Sequence, residues 1–304
     1  MRRLASIGEC MIELRHRDAE LLEFGFAGDS YNTALYLARL NSSDRLAVDY
    51  VTALGDDPYS DAMLAAWRAE GVGTQAVARL PGKLPGLYLI RTAADGERRF
   101  FYYRSAAAAR ELFGGGAAER LLDRLAAYDV LYFTAITLSI LAPPARERFR
   151  QALAAARAAG RLIAFDSNYR PAGWADRTAA RDAIAPFLDV IDMALPTFED
   201  EQALWGDASV SETLARYTGR GAEVCVKSGA AGCRLGDGTV VPVPVPVVPV
   251  DTTAAGDAFN AAYLSARLAG ASPAAAALAG HRLAGTVIQY RGAIIPRAAM
   301  PEAL

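Results

Sequence analysis

Six short β-rich runs punctuate this chain of 304 residues: Leu4 to Leu14, Val48 to Leu54, Val130 to Leu138, Leu162 to Asp166, Val190 to Leu195 and Val224 to Lys227. Helical stretches lie between several of them, at Ser30 to Leu40, Tyr59 to Glu70, Ala142 to Ala159, Ala175 to Phe187 and Val210 to Gly219. Parallel strands need long crossovers, and a helix supplies one. Strand, helix and strand repeated in this way therefore predict an α/β fold with a mostly parallel central sheet flanked by helices. Ligands then belong at the carboxyl ends of the strands.

One region breaks the alternation. Gly86 to Thr92 and Arg98 to Arg104 read as a hairpin across Ala93-Ala94-Asp95-Gly96-Glu97, with Asp-Gly in its turn. Together with the first strands it forms either a small β-sheet lid, built from about 9–30 and 84–105, or an antiparallel edge of the main sheet. Leu235 to Thr239 is a second hairpin signal. Val241 to Val250 alternates valine and proline, and because proline cannot donate to a ladder this run is an edge or an extended connector. Two helices, Ala255 to Leu268 and Pro273 to Tyr290, close the chain.

Composition narrows the function. With 53% apolar and 22% charged residues a large core is available and wholesale disorder is excluded. The net charge is 32 − 34 = −2, without the basic field of a nucleic-acid binder. The longest uncharged stretch, Val130 to Ala145, is 16 residues, short of the roughly 20 of a membrane span. Cys10, Cys225 and Cys233 are too few and scattered for a disulfide framework or zinc cluster, and read as buried small hydrophobes. The start of the chain moves directly into a strand-like run, so a cytoplasmic setting is expected. Histidine occurs only as His16 and His281, and lysine only as Lys83 and Lys227 beside thirty arginines. An acid-base group here is expected to be a carboxylate.

The segment Asp251 to Asn260 carries the most chemistry. Ala254, Ala255 and Gly256 sit where a loop turns into a helix, which lets a ligand approach several free amides, an anion site. Asp257 in the first turn would repel a bound phosphate unless it had a task. Taking a proton from an attacking hydroxyl while the amides stabilise a transferring phosphoryl group is that task. On residue types alone, a simple helix cap competes with this reading.

Asp251 to Asp257 also resembles the C-terminal signature Asp-Thr-x-Gly-Ala-Gly-Asp of the ribokinase-like, pfkB-type carbohydrate kinases, with Ala254 in place of the first glycine. Further ordered motifs extend the match: Gly8-Glu-Cys-Met-Ile-Glu-Leu14, Leu84-Pro-Gly-Leu-Tyr88, Phe101-Tyr-Tyr-Arg104, Asp166-Ser-Asn-Tyr-Arg170 and Val287 to Pro296. With Ala254, they resemble the branch of the family that acts on 2-keto-3-deoxygluconate, over Ile7 to Pro301. The resemblance implies one ribokinase-like domain over 1–304 with a β lid. It implies ATP-dependent phosphorylation of the terminal primary hydroxyl of that sugar acid, with Mg²⁺ and, in some members, a monovalent cation. ATP and the sugar acid would be the partners, with a homo-oligomer through the lid as a candidate.

The site residues follow from the same resemblance. Asp257 would be the catalytic base, and the amides of Ala254, Ala255, Gly256 and Asp257 the anion hole. Gly28, Asp29, Ser30, Tyr31 and Asn32 would hold the sugar, with Tyr88, Tyr102, Tyr103 and Arg104 of the hairpin. Adjacent tyrosines on a strand face opposite ways, so only some of these point into one site. Arg104 and Arg170 match the fork geometry that a carboxylate needs. Asn168, Arg170, Lys227, Ser228, Gly229, Ala230, Ala231 and Gly232 would bind ATP together with Ala254 to Gly256.

Some positions depart from the family pattern. Where it carries Asn-x-x-Glu near the metal, this chain has Thr197-Phe-Glu-Asp200, leaving Thr197 and Asp200 as weak Mg²⁺ candidates and triphosphate oxygens and water as the main ligands. Glu13 stands where many relatives have an aspartate. Asp251 is the monovalent-cation candidate, and His281 reads as a packed or capping residue. A kinase of another sugar, such as fructose or ribose, and a non-catalytic sugar- or nucleotide-binding regulator are the alternatives. A Rossmann dehydrogenase is disfavoured because Gly114-Gly-Gly116 lacks the spaced glycines.

Overall fold

A computed structural model describes residues 1–18, 20–92 and 98–301. Among the described residues the strands in chain order are β1 (Arg2–Ile7), β2 (Met11–His16), β3 (Leu22–Ala27), β4 (Leu46–Leu54), β5 (Val77–Arg79), β6 (Leu87–Thr92) and β7 (Arg98–Tyr103), then β8 (Val130–Thr134), β9 (Leu162–Asp166), β10 (Met193–Ala194), β11 (Glu223–Lys227), β12 (Cys233–Leu235) and β13 (Val240–Val241). Nine form one sheet in the order β13-β12-β11-β10-β9-β8-β1-β4-β5, parallel from β11 to β5, with β12 and β13 added antiparallel at one edge. The other four make a separate sheet, β3-β2-β6-β7. The hairpin strands β6 and β7 thus belong to a lid and not to an edge of the main sheet; their Ala93–Glu97 connection lies outside the described residues.

Successive residues of β8 feed two cores, because side chains alternate across a strand. Leu131 and Phe133 pack on one face with Phe149, Phe165 and Phe187, while Val130 and Tyr132 pack on the other with Tyr50, Trp67 and Tyr263. Each fully buried Phe or Leu contributes roughly 1.5–3 kcal/mol. The three cysteines are all buried in the body, and His281 packs edge-on against Phe259 with its Nε2 3.2 Å from the Val241 carbonyl. Among the described residues no helix is long and apolar enough to cross a membrane.

Several boundaries differ from the sequence reading. The run Val130 to Leu138 is a strand only as far as Thr134 and then a helix, Ala135–Ile140, started by the Thr134 side chain accepting from the Thr137 amide. The run Leu4 to Leu14 is two strands in two sheets: β1 lies in the body and β2 in the lid. The crossing between them is tight, since a Cβ at Gly28 would meet the Glu9 carbonyl oxygen at 2.2 Å. The helix expected over Ala175 to Phe187 is α-helical only over Arg177–Ile184 and continues as a 3₁₀ turn, Ala185–Val190, because Pro186 lacks the amide an α-helix needs. That leaves β10 as two residues, bounded by Pro196. The final helix ends at Val287 and not at Tyr290.

Candidate active site

Between the carboxyl ends of the central strands and the inner face of the lid lies a cavity of about 990 Å³. The body supplies its floor. The helix Asp29–Leu40 brings Gly28, Asp29 and Asn32; the end of β9 brings Asp166 and, beyond it, Asn168 and Arg170; the start of the helix Ala255–Leu268 brings Ala254 to Asp257. The lid supplies Met11, Tyr88, Phe100, Tyr102 and Arg104. In this way residues more than two hundred positions apart meet in one space.

Asp257 is buried in the first turn of its helix, where it lines the cavity. Asn32 Nδ2 donates to its Oδ2 at 2.8 Å. Burial, above all, and then the charge of Asp29 push its carboxyl up to about 7, against the pull of Asn32 and Lys227. A carboxylate that titrates near neutrality suits proton abstraction. Asp29 is also raised, chiefly by burial; its Oδ2 accepts from Thr134 Oγ1 at 2.6 Å and Asn168 Nδ2 at 2.9 Å.

The anion site at the helix start is narrower than the sequence indicates. Ala254 caps the helix in the left-handed region, φ 60°, and the Ala255 amide turns back onto the Thr252 carbonyl at 3.2 Å. The amides of Gly256 and Asp257 are among the first-turn donors that helix geometry leaves without an intrahelical acceptor. Asp251 clamps the loop in front: its Oδ1 accepts from the Thr253 amide at 2.8 Å and its Oδ2 from the Gly292 amide at 2.9 Å.

Of the other expected residues, some line the cavity and some do not. Tyr31 is a core residue packed on Tyr50 and Trp67, and Ser30 is buried against Tyr50 with its hydroxyl 3.0 Å from the phenol, so neither lines the cavity. Both face inward because they occupy the buried side of their helix. Tyr103 is 67% exposed on the opposite face of the lid from Tyr102, as strand alternation requires. Gly28 does line the cavity, and the close approach of the Glu9 backbone by itself already requires glycine there. Ser228 to Gly232 form the turn from β11 to β12, with Gly229, Ala230 and Ala231 exposed and not lining the cavity, and the buried Lys227 amine is bonded to Asp166 and Asn260. Arg170 lies at the rim, paired with Asp200 at 3.0 Å; Thr197 also lines the cavity, as cap of the helix Phe198–Trp205.

The structure adds residues that the sequence reading omitted. Glu9 is buried at the crossing into the lid, pairs with Arg104, and is held above the usual carboxylate range by burial, which the Arg104 charge opposes. A carboxylate set between two apolar strands was the available signal. Asp166 stood in a quoted motif without a role. Asn260, the last residue of the key segment, turned out to hold Lys227 and Asp166 together. Trp174, on the cavity wall under Arg146, had no signal.

Comparison with known proteins gives a consistent result. The model of the family described as pfkB family carbohydrate kinase matches residues 1–300. A 2-dehydro-3-deoxygluconokinase of Dickeya dadantii is 47% identical over 98% of both chains, and one of Escherichia coli K12 is 45% identical over 99% of both. Among solved structures, a PfkB protein from Polaromonas sp. JS666 superposes with a TM-score of 0.82 at 29% identity, covering 95% of this chain and 96% of that one.

Proposed function

The chain belongs to the pfkB family of carbohydrate kinases, and on that premise we propose that it transfers the γ-phosphoryl group of ATP to the terminal primary hydroxyl of 2-keto-3-deoxygluconate, giving the 6-phosphate and ADP. The observation that carries the reading is Asp257: an enclosed carboxylate raised to about 7, in the first turn of a helix whose amides face the same cavity.

Asp257 takes the proton as the sugar oxygen forms its bond to phosphorus and the bond to ADP breaks. The Gly256 and Asp257 amides receive the charge that spreads over the phosphoryl oxygens. Arg104 and Arg170 hold the acid group, while Tyr88, Tyr102 and Phe100 close the apolar side and exclude water. Glu13, bonded to the Tyr88 hydroxyl at 2.5 Å, orients that ring and is not directed at the sugar in this arrangement.

Among the described residues no group of three or more His, Cys, Asp or Glu is arranged to hold a metal, and Asp200 is engaged by Arg170. A magnesium ion would keep phosphate oxygens and water as most of its ligands, with Thr197 and the Arg170-paired Asp200 at most an outer contact. When bound, it offsets phosphate charge. A monovalent cation would act through the Asp251 loop, and potassium titration of turnover tests that addition.

The lid supports a further part of the proposal, a homo-oligomer. Tyr88, Phe100 and Tyr102 face the cavity, so the alternate residues form the outer face: Leu14, Phe24, Leu87, Leu89, Phe101 and Tyr103, all half-buried or exposed. An apolar sheet face of this kind fits a second copy of the lid.

An ADP-release assay on a panel of the gluconate and galactonate derivatives, fructose and ribose tests the substrate. Turnover concentrated on the sugar acids is expected; equal turnover of fructose would sink the sugar-acid reading.

A further inference from the structure

The ammonium of Lys227 is a buried charge beside the catalytic helix to which proton transfer and anion binding give no task. Its side chain is 8% exposed, and its Nζ lies 2.9 Å from Asn260 Oδ1 and 3.2 Å from Asp166 Oδ2. A Cβ placed on Gly256 would be 3.6 Å from it, so the charge stands directly behind the start of the catalytic helix. Asn260 completes the arrangement, donating to Asp166 Oδ2 at 2.7 Å and to the Tyr132 hydroxyl at 3.1 Å. Thr33 Oγ1 reaches both that hydroxyl and the Asp257 carbonyl at 3.4 Å.

We infer that Lys227 is a positioning residue of the transfer reaction and not a nucleotide ligand: from behind the anion hole it counters the buried carboxylates and, through Asn260, fixes the floor on which Asp257 sits. Two of the three donors of an ammonium are committed to Asp166 and Asn260. The turn that follows, Gly229 to Ala231, is exposed and does not line the cavity, whereas Lys227 is buried among Asp166 and Asn260. A lysine beside the buried Asp166 and Asp257 and the half-buried Asp29 is also the placement that charge balance favours, since an uncompensated buried charge is costly.

The role is visible in pH dependence. Asp257 is faced by Asp29 and Tyr36 from the helix Asp29–Leu40, Tyr132 from β8, Asp166 from β9 and Lys227 from β11. The lysine favours its charged form and the two aspartates disfavour it. The inference rests on Asp257 being the base.

The experiment compares pH profiles of kcat/KM for the sugar acid at saturating ATP and magnesium, in the full-length wild type, Lys227→Met and Asp166→Asn. Lys227→Met is expected to move the acid limb up by about one pH unit and to lower kcat about tenfold, leaving the KM for ATP within about threefold. Asp166→Asn, nearly isosteric and informative even if Lys227→Met does not fold, is expected to move the limb down. A tenfold rise in the KM for ATP in Lys227→Met with the limb in place would overturn the inference and make Lys227 a nucleotide ligand. So would a limb that Asp166→Asn leaves unmoved or moves up. Wild-type turnover in Asp257→Asn would instead overturn the base assignment, and the inference with it.

Discussion

The Nδ2 of Asn32 lies 2.8 Å from the Oδ2 of Asp257, joining the first helix of the chain to its penultimate one across 225 residues. Asn32 fixes one oxygen of the base and, by donating to it, opposes the upward push of burial. Replacing Asp257 with Asn keeps the shape and this contact but removes the proton acceptor. A loss of about 10²–10⁴-fold in kcat is expected, read by ADP release, with the KM for ATP nearly unchanged.

The same carboxylate affects stability. Its folded value of about 7 lies above its ordinary value of 3.8, so the fold prefers the protonated form. That contribution is full below pH 4 and is lost as pH rises through 7. In the absence of substrate, Asp257→Asn is therefore expected to raise the melting temperature at pH 8 and leave it nearly unchanged at pH 4. Each kcal/mol regained is worth roughly 2–4 °C in a chain of this size. A melting temperature lowered equally at both pH values would contradict the assignment.

Much of this arrangement was legible in the sequence because it is written locally. Alternating strands and helices gave the parallel sheet, and the small residues Ala254 to Gly256 before Asp257 gave the helix start that lines the cavity, although on residue types alone a helix cap explained them equally well. What escaped was set by tertiary packing. Nothing in Gly28-Asp-Ser-Tyr-Asn32 distinguishes Tyr31, which packs on Trp67, from Asn32, which reaches Asp257; only the azimuth of the helix separates them. Lys227 read as an ATP-binding residue from the glycine-rich turn beside it, while its contacts with Asp166 and Asn260, distant in sequence, could not be read there. The division of the first apolar run between two sheets depended on the close approach of Gly28 to Glu9.

Glu9 and Arg104 provide a test that separates binding from folding. Glu9 is fully buried, so Arg104→Ala strands its carboxylate at a cost of about 3–5 kcal/mol. The same change removes a fork for the substrate acid group, and the KM for the sugar acid is expected to rise about 30-fold or more. Adding Glu9→Gln should restore most of the melting temperature and none of the affinity. Recovery of both together would mean that Arg104 acts only through the fold.

The outer face of the lid predicts a concentration-dependent assembly. Phe101 is 49% exposed at the centre of that apolar face, opposite Leu89. Phe101→Glu places a charge where a second lid would dock, and desolvating it there disfavours association. Sedimentation velocity should show the wild type as an oligomer and this variant shifted to monomer, with an unchanged far-ultraviolet spectrum. A wild type that sediments as a monomer at all concentrations would remove this part of the proposal.

Ala254 takes a left-handed conformation, φ 60° and ψ 13°, where the family signature has glycine, and such a conformation costs an alanine about 1–2 kcal/mol. Part of this is offset by its methyl group, which packs against the lid cluster of Met11, Tyr88 and Ile90. Ala254→Gly relieves the strain, loses that contact and gains chain entropy in the unfolded state, so the terms nearly cancel and stability should stay within about 1 kcal/mol of the wild type. Ala254→Val cannot cancel: a β-branched residue at positive φ is a genuine outlier. The helix start then shifts, carrying the Gly256 and Asp257 amides with it, and kcat is expected to fall about 100-fold, as displacements near 1 Å do. Thermal melting and turnover of the two variants side by side decide the point, since a fully active Ala254→Val would show that the left-handed turn is not required for the anion site.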